Sequence, residues 1–368
     1  VTTTTTQSYG DAVTLGAGTT LTGAGITLAG VTGANSLSIV DSAATTLGGA
    51  VSIASLTTDA GGTTAINGGS VTTTTTQSYG DAVTLGAGTT LTGAGITLAG
   101  VTGAQTLSIV DSAATTLGGA VSIASLTTDA AGTTAINGGS VATTGAQSYG
   151  DAVTLGAATN LTSTGSSVGM LGTVNGANTL AVNAATTATL SGGVGGTTPL
   201  TSVTVTAPAI VLGNVTTNGL QQYNGPVTFN STYLTNGGNF NVTGTTTLGS
   251  SSTITTGAGS VTLTGAVNAD PDINPETLTI NAGTLTFGST VGTTDPLAGL
   301  TTTTTGATSI GSLTSVGTVS LTAGGALTFG TLSATGQTVD LSGLSLTGTG
   351  AGITAGTGTL SSGTNVLL

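Results

Sequence analysis

The chain contains no Lys, Arg, His, Cys or Trp, and only 3% of its 368 residues are charged. An ordinary domain carries about 25%. All the charges are acidic, eleven Asp and Glu276, for a net charge of −12. Each absence removes a class of function. Without Lys or Arg nothing neutralises phosphates, which argues against nucleic-acid binding and a basic membrane-surface helix. Without His or Cys there is no Ser-His-Asp or Cys-His nucleophile and no ordinary zinc site. A Schiff-base lysine is impossible. No apolar run approaches the about 18 residues of a membrane span, so no transmembrane segment is expected. Trypsin-like proteases have no cleavage site, which suits an exposed extracellular protein. The chain opens at Val1 with neither Met nor signal peptide, as a processed or excised piece of something longer would.

What remains is Gly (64 residues), Thr and small apolar residues. Disordered chains combine low hydropathy with high net charge, whereas the mean hydropathy here is positive. Gly, Thr, Ser, Val and Asn all favour helix poorly. The apolar residues alternate: Val13 and Leu15 flank Thr14, Ile26 and Leu28 flank Thr27, Leu37 and Ile39 flank Ser38, and Val51 and Ile53 flank Ser52. Period two with one apolar face predicts short half-buried strands, separated by Gly-rich and Asp-Ala-Gly-Gly turns.

The stretch Val1–Ser70 is then written again as Val71–Ser140, with three changes: Asn35 to Gln105, Ser36 to Thr106 and Gly61 to Ala131. A degenerate third copy occupies 141–210, and diverged repeats run through 211–368. Gln7-Ser8-Tyr9 returns as Gln77-Ser78-Tyr79, Gln147-Ser148-Tyr149 and Gln221-Gln222-Tyr223. A sandwich would give each strand its own environment and would not explain near-exact duplication. The repeat predicts a β-solenoid, about 23 residues to a coil and three coils to the seventy-residue block, each strand stacked on its equivalent at about 4.8 Å. On that spacing the chain would wind on the order of sixteen coils into a rod of about 75 Å. The repeated tyrosines read as structural plugs, with rings over apolar surface and hydroxyls reaching water.

Several strings carry a family likeness: Ser55-Leu-Thr-Thr-Asp-Ala-Gly-Gly-Thr-Thr-Ala-Ile-Asn-Gly-Gly-Ser70, Gln77-Ser-Tyr-Gly-Asp-Ala-Val-Thr-Leu-Gly86, Gly192-Gly-Val-Gly-Gly-Thr-Thr-Pro-Leu200 and Val291-Gly-Thr-Thr-Asp-Pro-Leu297. They resemble repeat regions of large bacterial exoproteins of the filamentous-haemagglutinin-like and autotransporter type. The resemblance covers most of the chain, although no secretion domain or translocator barrel is found in it. It implies a right-handed parallel β-helix, a secreted or cell-surface location, and a role in adhesion or extracellular fibres.

Candidate sites are few. Asp270, Asp272, Asn274 and Glu276 place oxygen ligands at every second residue, as a Ca²⁺ loop would. Pro275 stands where such a loop wants Gly, and Asn281 where it wants a bidentate Glu, so a projecting Pro-punctuated loop is the competing expectation. A glycosidase carboxylate pair there would lack a basic partner. Asp11, Asp81, Asp151, Asp41, Asp111, Asp59 and Asp129 read as turn residues with solvated charge. Thr2–Thr6, Thr72–Thr76 and Thr301–Thr305 are five-Thr runs that β-propensity explains. Ice binding would need Thr-x-Thr on consecutive coils, and these runs recur once in three. Asn160, Asn214, Asn230 and Asn241 head sequons that chance explains in so Asn- and Thr-rich a chain. Phe229, Phe240, Phe287 and Phe329 read as core.

A structural, non-enzymatic fibre subunit is the leading expectation, its partner a second copy. Val1, Thr2, Thr4 and Thr6 at one end, and Val366, Leu367 and Leu368 at the other, would dock head to tail. The alternatives are an adhesin stalk binding host or matrix glycans, and an ice-binding solenoid.

Overall fold

The computed structural model describes residues 1–271, 276–350 and 352–367. These residues are all-β, without helix. They form two compact units, Val1–Ala185 and Thr186–Leu368, each a parallel β-solenoid.

In the first unit three short strands make one turn, and from Gln7–Tyr9 to Thr159–Ser163 each strand pairs with the third strand after it. Gln7 lies beside Ile26, Ile26 beside Thr45, Thr45 beside Thr64 and Thr64 beside Val83, the numbering advancing by 19 each time. Elsewhere in the unit the step ranges from 18 (Val83 beside Val101) to 21 (Leu126 beside Gln147). The parallel solenoid is as expected, but the coil is shorter than the repeat suggested and a strand does not stack on its own equivalent. Each seventy-residue block holds eleven strands, which at three to a turn make three and two-thirds turns. Each copy of the block therefore starts one face further round. Gln7–Tyr9, Gln77–Tyr79 and Gln147–Tyr149 fall on three different sheets. Equivalent residues are about 18 Å apart along the axis at a strand spacing of about 4.8 Å, not the three coils expected.

Alternation sets which side chains enter the core. Leu28, Leu47, Ile66 and Leu85 form one interior ladder across successive turns, each at most 3% exposed. Full burial of each such side chain stabilises by about 1.5–3 kcal/mol. The residues between them point outward as Thr27, Thr46, Ala65 and Thr84. Corners are tight. Gly62 has φ of 68°, and a Cβ there would lie 1.7 Å from the Ala43 carbonyl oxygen. At Gly61 the nearest atom to a Cβ is 3.2 Å away. Of the two glycines in the turn, only the first becomes Ala in the second copy, as Ala131.

The second unit keeps the same winding with longer corners. Ser252 pairs with Leu278, a step of 26, Thr277 with Gly299, a step of 22, and Leu300 with Val319, a step of 19. The longest of these steps contains Asp270 to Glu276. Tyr223, Phe229, Tyr233 and Phe240 cluster in the core of this unit with ring centroids 4.7–5.7 Å apart, tilted or edge-on, the arrangement aromatic quadrupoles favour. Phe287 and Phe329 are core residues, as expected.

Candidate functional site

The polar groups of the repeat turn inward, onto the backbone. Gln77 follows the strand Ser70–Thr73 around a corner, and its amide nitrogen donates to the carbonyl of Val71 at 3.1 Å and that of Thr92, in the next turn, at 2.8 Å. The Tyr79 hydroxyl donates to Gln77 Oε1 at 3.0 Å. Gln147 with Tyr149 and Gln221 with Tyr223 repeat the arrangement. Gln7 with Tyr9 does so in a less buried form. Tyr79, Tyr149 and Tyr223 are fully buried, so their hydroxyls do not reach water as expected. Burial pushes their ionisation far above the ordinary phenol range, with Asp81 and Asp151 adding to it for Tyr79 and Tyr149. The motif adds a second donor to corner carbonyls that already accept backbone amides, as Thr22 does from Thr3 and Leu234 from Thr217. It also satisfies the buried Gln and Tyr side chains, which would each cost about 1–3 kcal/mol if left unpaired.

Asp41 is the second brace. Its Oδ1 accepts from Gly25 N at 2.7 Å and Ala43 N at 3.0 Å, and its Oδ2 from Ile26 N at 2.9 Å and Thr45 Oγ1 at 3.0 Å. Asp111 has the same four donors at the same distances, from Gly95, Ala113, Ile96 and Thr115. Both carboxylates are 2% exposed. Four donors fill the acceptor sites of a carboxylate, leaving none for a metal. Burial alone would raise the Asp41 pKa. The bonds from Gly25, Ala43, Thr45 and Ile26 outweigh it and hold the carboxyl below its ordinary range.

Asp81 and Asp151 are held by hydroxyls instead. Thr58 and Thr64 donate to Asp81, and Thr128 and Thr134 to Asp151, at 2.7–3.0 Å. Here burial wins and raises both carboxyls above the ordinary range. A raised carboxyl can serve as a general acid, but these two are closed over by threonines, sit at different corners and face no cleft. The solvated-turn expectation holds for exposed Asp11. Asp59 and Asp129 are half-buried and accept the amides of Asp41 and Asp111. It fails for Asp41, Asp111, Asp81 and Asp151, because the amides and hydroxyls that bury them come largely from other turns. A local signal exists in Asp41-Ser-Ala-Ala-Thr45, an acceptor followed by small residues and a hydroxyl four places on.

The remaining expected sites are scattered. Of the calcium residues, Asp272 and Asn274 lie outside the described residues. Asp270 is half-buried and Glu276 buried. Among the described residues no three His, Cys, Asp or Glu side chains group as metal ligands. Val1 is 67% exposed, its amine donating to the Thr20 carbonyl at 2.7 Å. Thr2 bridges to Thr22, and Thr4 and Thr6 are exposed. Val366 and Leu367 belong to the strand Ile353–Leu367, which pairs with Leu332–Gly348. Leu368 lies outside the described residues. These paired strands and Phe329 border an open cavity of about 470 Å³, lined in part by Val339, Ile353 and Leu360. The run Thr72–Thr76 makes no flat face. It leaves the strand Ser70–Thr73 and bends, with Thr73 turned inward.

No family model, curated protein or solved structure matches the chain.

Proposed function

We propose that this chain is a structural, non-enzymatic building block of a bacterial extracellular or cell-surface fibre. The observation that carries this reading is where the chemistry-bearing side chains go. In the first unit the buried carboxylates and the Gln-x-Tyr pairs bind backbone or hydroxyl groups of their own solenoid, and the core is filled by aliphatic ladders. The sequence spends its few polar side chains on winding the coil and holding its corners. A coil of this kind transmits its stability from turn to turn and presents strand edges to which a further parallel strand can add. Self-association is the partner reading that follows, with Val1–Thr6 and the strand Ile353–Leu367 as the surfaces proposed to meet. The likeness to exoprotein repeat regions supports the location.

Negative-stain electron microscopy of the purified chain across a concentration series tests this. Filaments or end-to-end oligomers that lengthen with concentration are expected. Isolated particles at every concentration, with specific retention on a glycan array, would replace the fibre by an adhesin stalk.

A further inference from the structure

One face of the second unit differs from the rest of the molecule. The strands Ser252–Thr255, Thr277–Ala282, Gly299–Thr304 and Val319–Ala323 lie side by side with the middle of Leu332–Gly348 and of Ile353–Leu367. Their outward residues form two columns in register. The first runs Thr253, Thr279, Thr301, Ser320, Asp340, Thr359, and the second Thr255, Asn281, Thr303, Thr322, Ser342, Ser361. This is Thr-x-Thr, or its Ser and Asn variant, on consecutive turns, with Asp340 its single charge. In the first unit a comparable column, Thr20, Ser38, Thr57, Ser78, Thr97, Thr116, has Val40, Asp59 and Gly80 in the positions beside Ser38, Thr57 and Ser78.

Three properties of the face bear on a ligand. Most of the hydroxyls are free: among the described residues, Thr253, Thr255, Thr279, Thr301, Thr303, Ser320 and Thr322 make no side-chain hydrogen bond within the chain, whereas Thr359, on the last strand, donates to Asp340 at 2.7 Å, and Thr58, Thr64 and Thr45 are committed to carboxylates. The scaffold is stiff over the first five strands, because Ile254, Ile280, Thr302, Leu321 and Leu341, between the two columns, are buried to 1% exposure or less, while Leu360 in the same position on the last strand is 46% exposed. The spacing is fixed by the backbone at about 4.8 Å between turns and about 6.6 Å along a strand.

We propose that this face binds the surface of crystalline ice. One hydroxyl gains almost nothing by exchanging liquid water for a fixed water. A stiff two-dimensional lattice of them gains when all its contacts are met together, without further ordering cost. The rectangular spacing approximates the repeat of water oxygens on a prism face of hexagonal ice, and threonine methyls fill the gaps between hydroxyls. A glycan reader would expose aromatic platforms or paired charges. Here Tyr223, Tyr233, Phe229, Phe240, Phe287 and Phe329 are all buried, and Lys and Arg are absent.

The test uses the full chain, labelled at Val1, its only amine. Adsorption to a growing ice hemisphere and thermal hysteresis are measured for the wild type, for the pair Thr279→Tyr with Thr303→Tyr, and for Thr154→Tyr on the first unit. Ice adsorption and hysteresis are expected for the wild type and for Thr154→Tyr. The paired variant should lose at least tenfold of the hysteresis with an unchanged circular dichroism spectrum. Should the tyrosines disturb folding, Thr279→Ser with Thr303→Ser keeps the hydroxyls and removes the methyls, and is expected to lower activity several-fold. Hysteresis no greater than that of an inert protein, equal activity of the array variants, or retention on microcrystalline cellulose in place of ice would each overturn the proposal.

Discussion

Replacing Asp41 by Asn tests whether buried carboxylates hold the turns together. The substitution keeps the volume and exchanges one acceptor oxygen for an NH₂ donor. In the best orientation Oδ1 still accepts from Gly25 and Ala43. The new NH₂ then faces the Ile26 amide, 2.9 Å from the original oxygen, and Thr45, whose hydroxyl can rotate to accept. The Ile26 N–H and the second hydrogen of the new side-chain amide are both left without an acceptor, at about 1–3 kcal/mol each, and the bonds from Gly25 and Ala43 become neutral, losing about 1 kcal/mol each. Relief from burying a charge offsets part of this, so a net cost of about 3–6 kcal/mol is expected. Denaturant unfolding of Asp41→Asn gives the total. Amide hydrogen exchange locates it, and Gly25, Ile26 and Ala43 should lose protection first. Asp11→Asn, at an exposed position, should change stability by less than about 0.5 kcal/mol. The sign with pH is fixed too. A carboxyl held below its unfolded value of about 3.9 stabilises above that pH, and the contribution is lost as pH falls through the folded value. The gap between wild type and Asp41→Asn should therefore narrow below about pH 4. Equal costs for Asp41→Asn and Asp11→Asn, or a gap that does not narrow in acid, would refute the brace.

Asp81 and Asp151 should behave oppositely. Their folded carboxyls are raised, so the stability they contribute is present below about pH 3.9 and lost as pH rises through the folded value. Asp81→Asn should then compare better with the wild type at pH 7 than at pH 3.5, read from denaturation midpoints. Tyr79→Phe removes the donor to Gln77 Oε1, a buried acceptor, and should cost about 1–3 kcal/mol. Gln77→Leu should cost more, because it removes three hydrogen bonds at once and leaves the buried Tyr79 hydroxyl without its acceptor. Gly62→Ala should destabilise by more than about 2 kcal/mol through its left-handed backbone and the Ala43 carbonyl. Gly61→Ala should be nearly neutral, as the natural Ala131 suggests.

Alternation in Leu37-Ser38-Ile39 and its relatives was enough to read the strands, and the duplication enough to read a solenoid. Coil length was harder because a seventy-residue period invites division into whole turns. The winding ignores that period, since eleven strands do not divide by three. A better ruler was in view: Val13-Thr14, Val31-Thr32, Val51-Ser52 and Val71-Thr72 recur at nearly even intervals, each shorter than the expected coil, and are neighbours in one sheet. The Asp41 brace was hidden for a different reason. Its donors Gly25 and Ile26 come from the preceding turn, and nothing near Asp41 in sequence points to them. The paired threonine columns were masked by uneven corners, which separate strands that lie side by side by unequal lengths of chain, so that Thr253, Thr279, Thr301 and Ser320 follow no single period.

The winding itself can be measured in a chain that has no cysteine of its own. Ser8 and Thr27 are exposed neighbours on adjacent strands, about 4.8 Å apart between strands. The double variant Ser8→Cys with Thr27→Cys should cross-link rapidly with dibromobimane. Ser8→Cys with Val31→Cys, the pair that the longer coil would bring together, should not, and neither should Ser8→Cys with Ser78→Cys, the pair that whole-turn stacking would place on one face. Cross-linking of the Val31 pair in preference to the Thr27 pair would contradict the shorter turn and, with it, the rotation of the repeat from face to face.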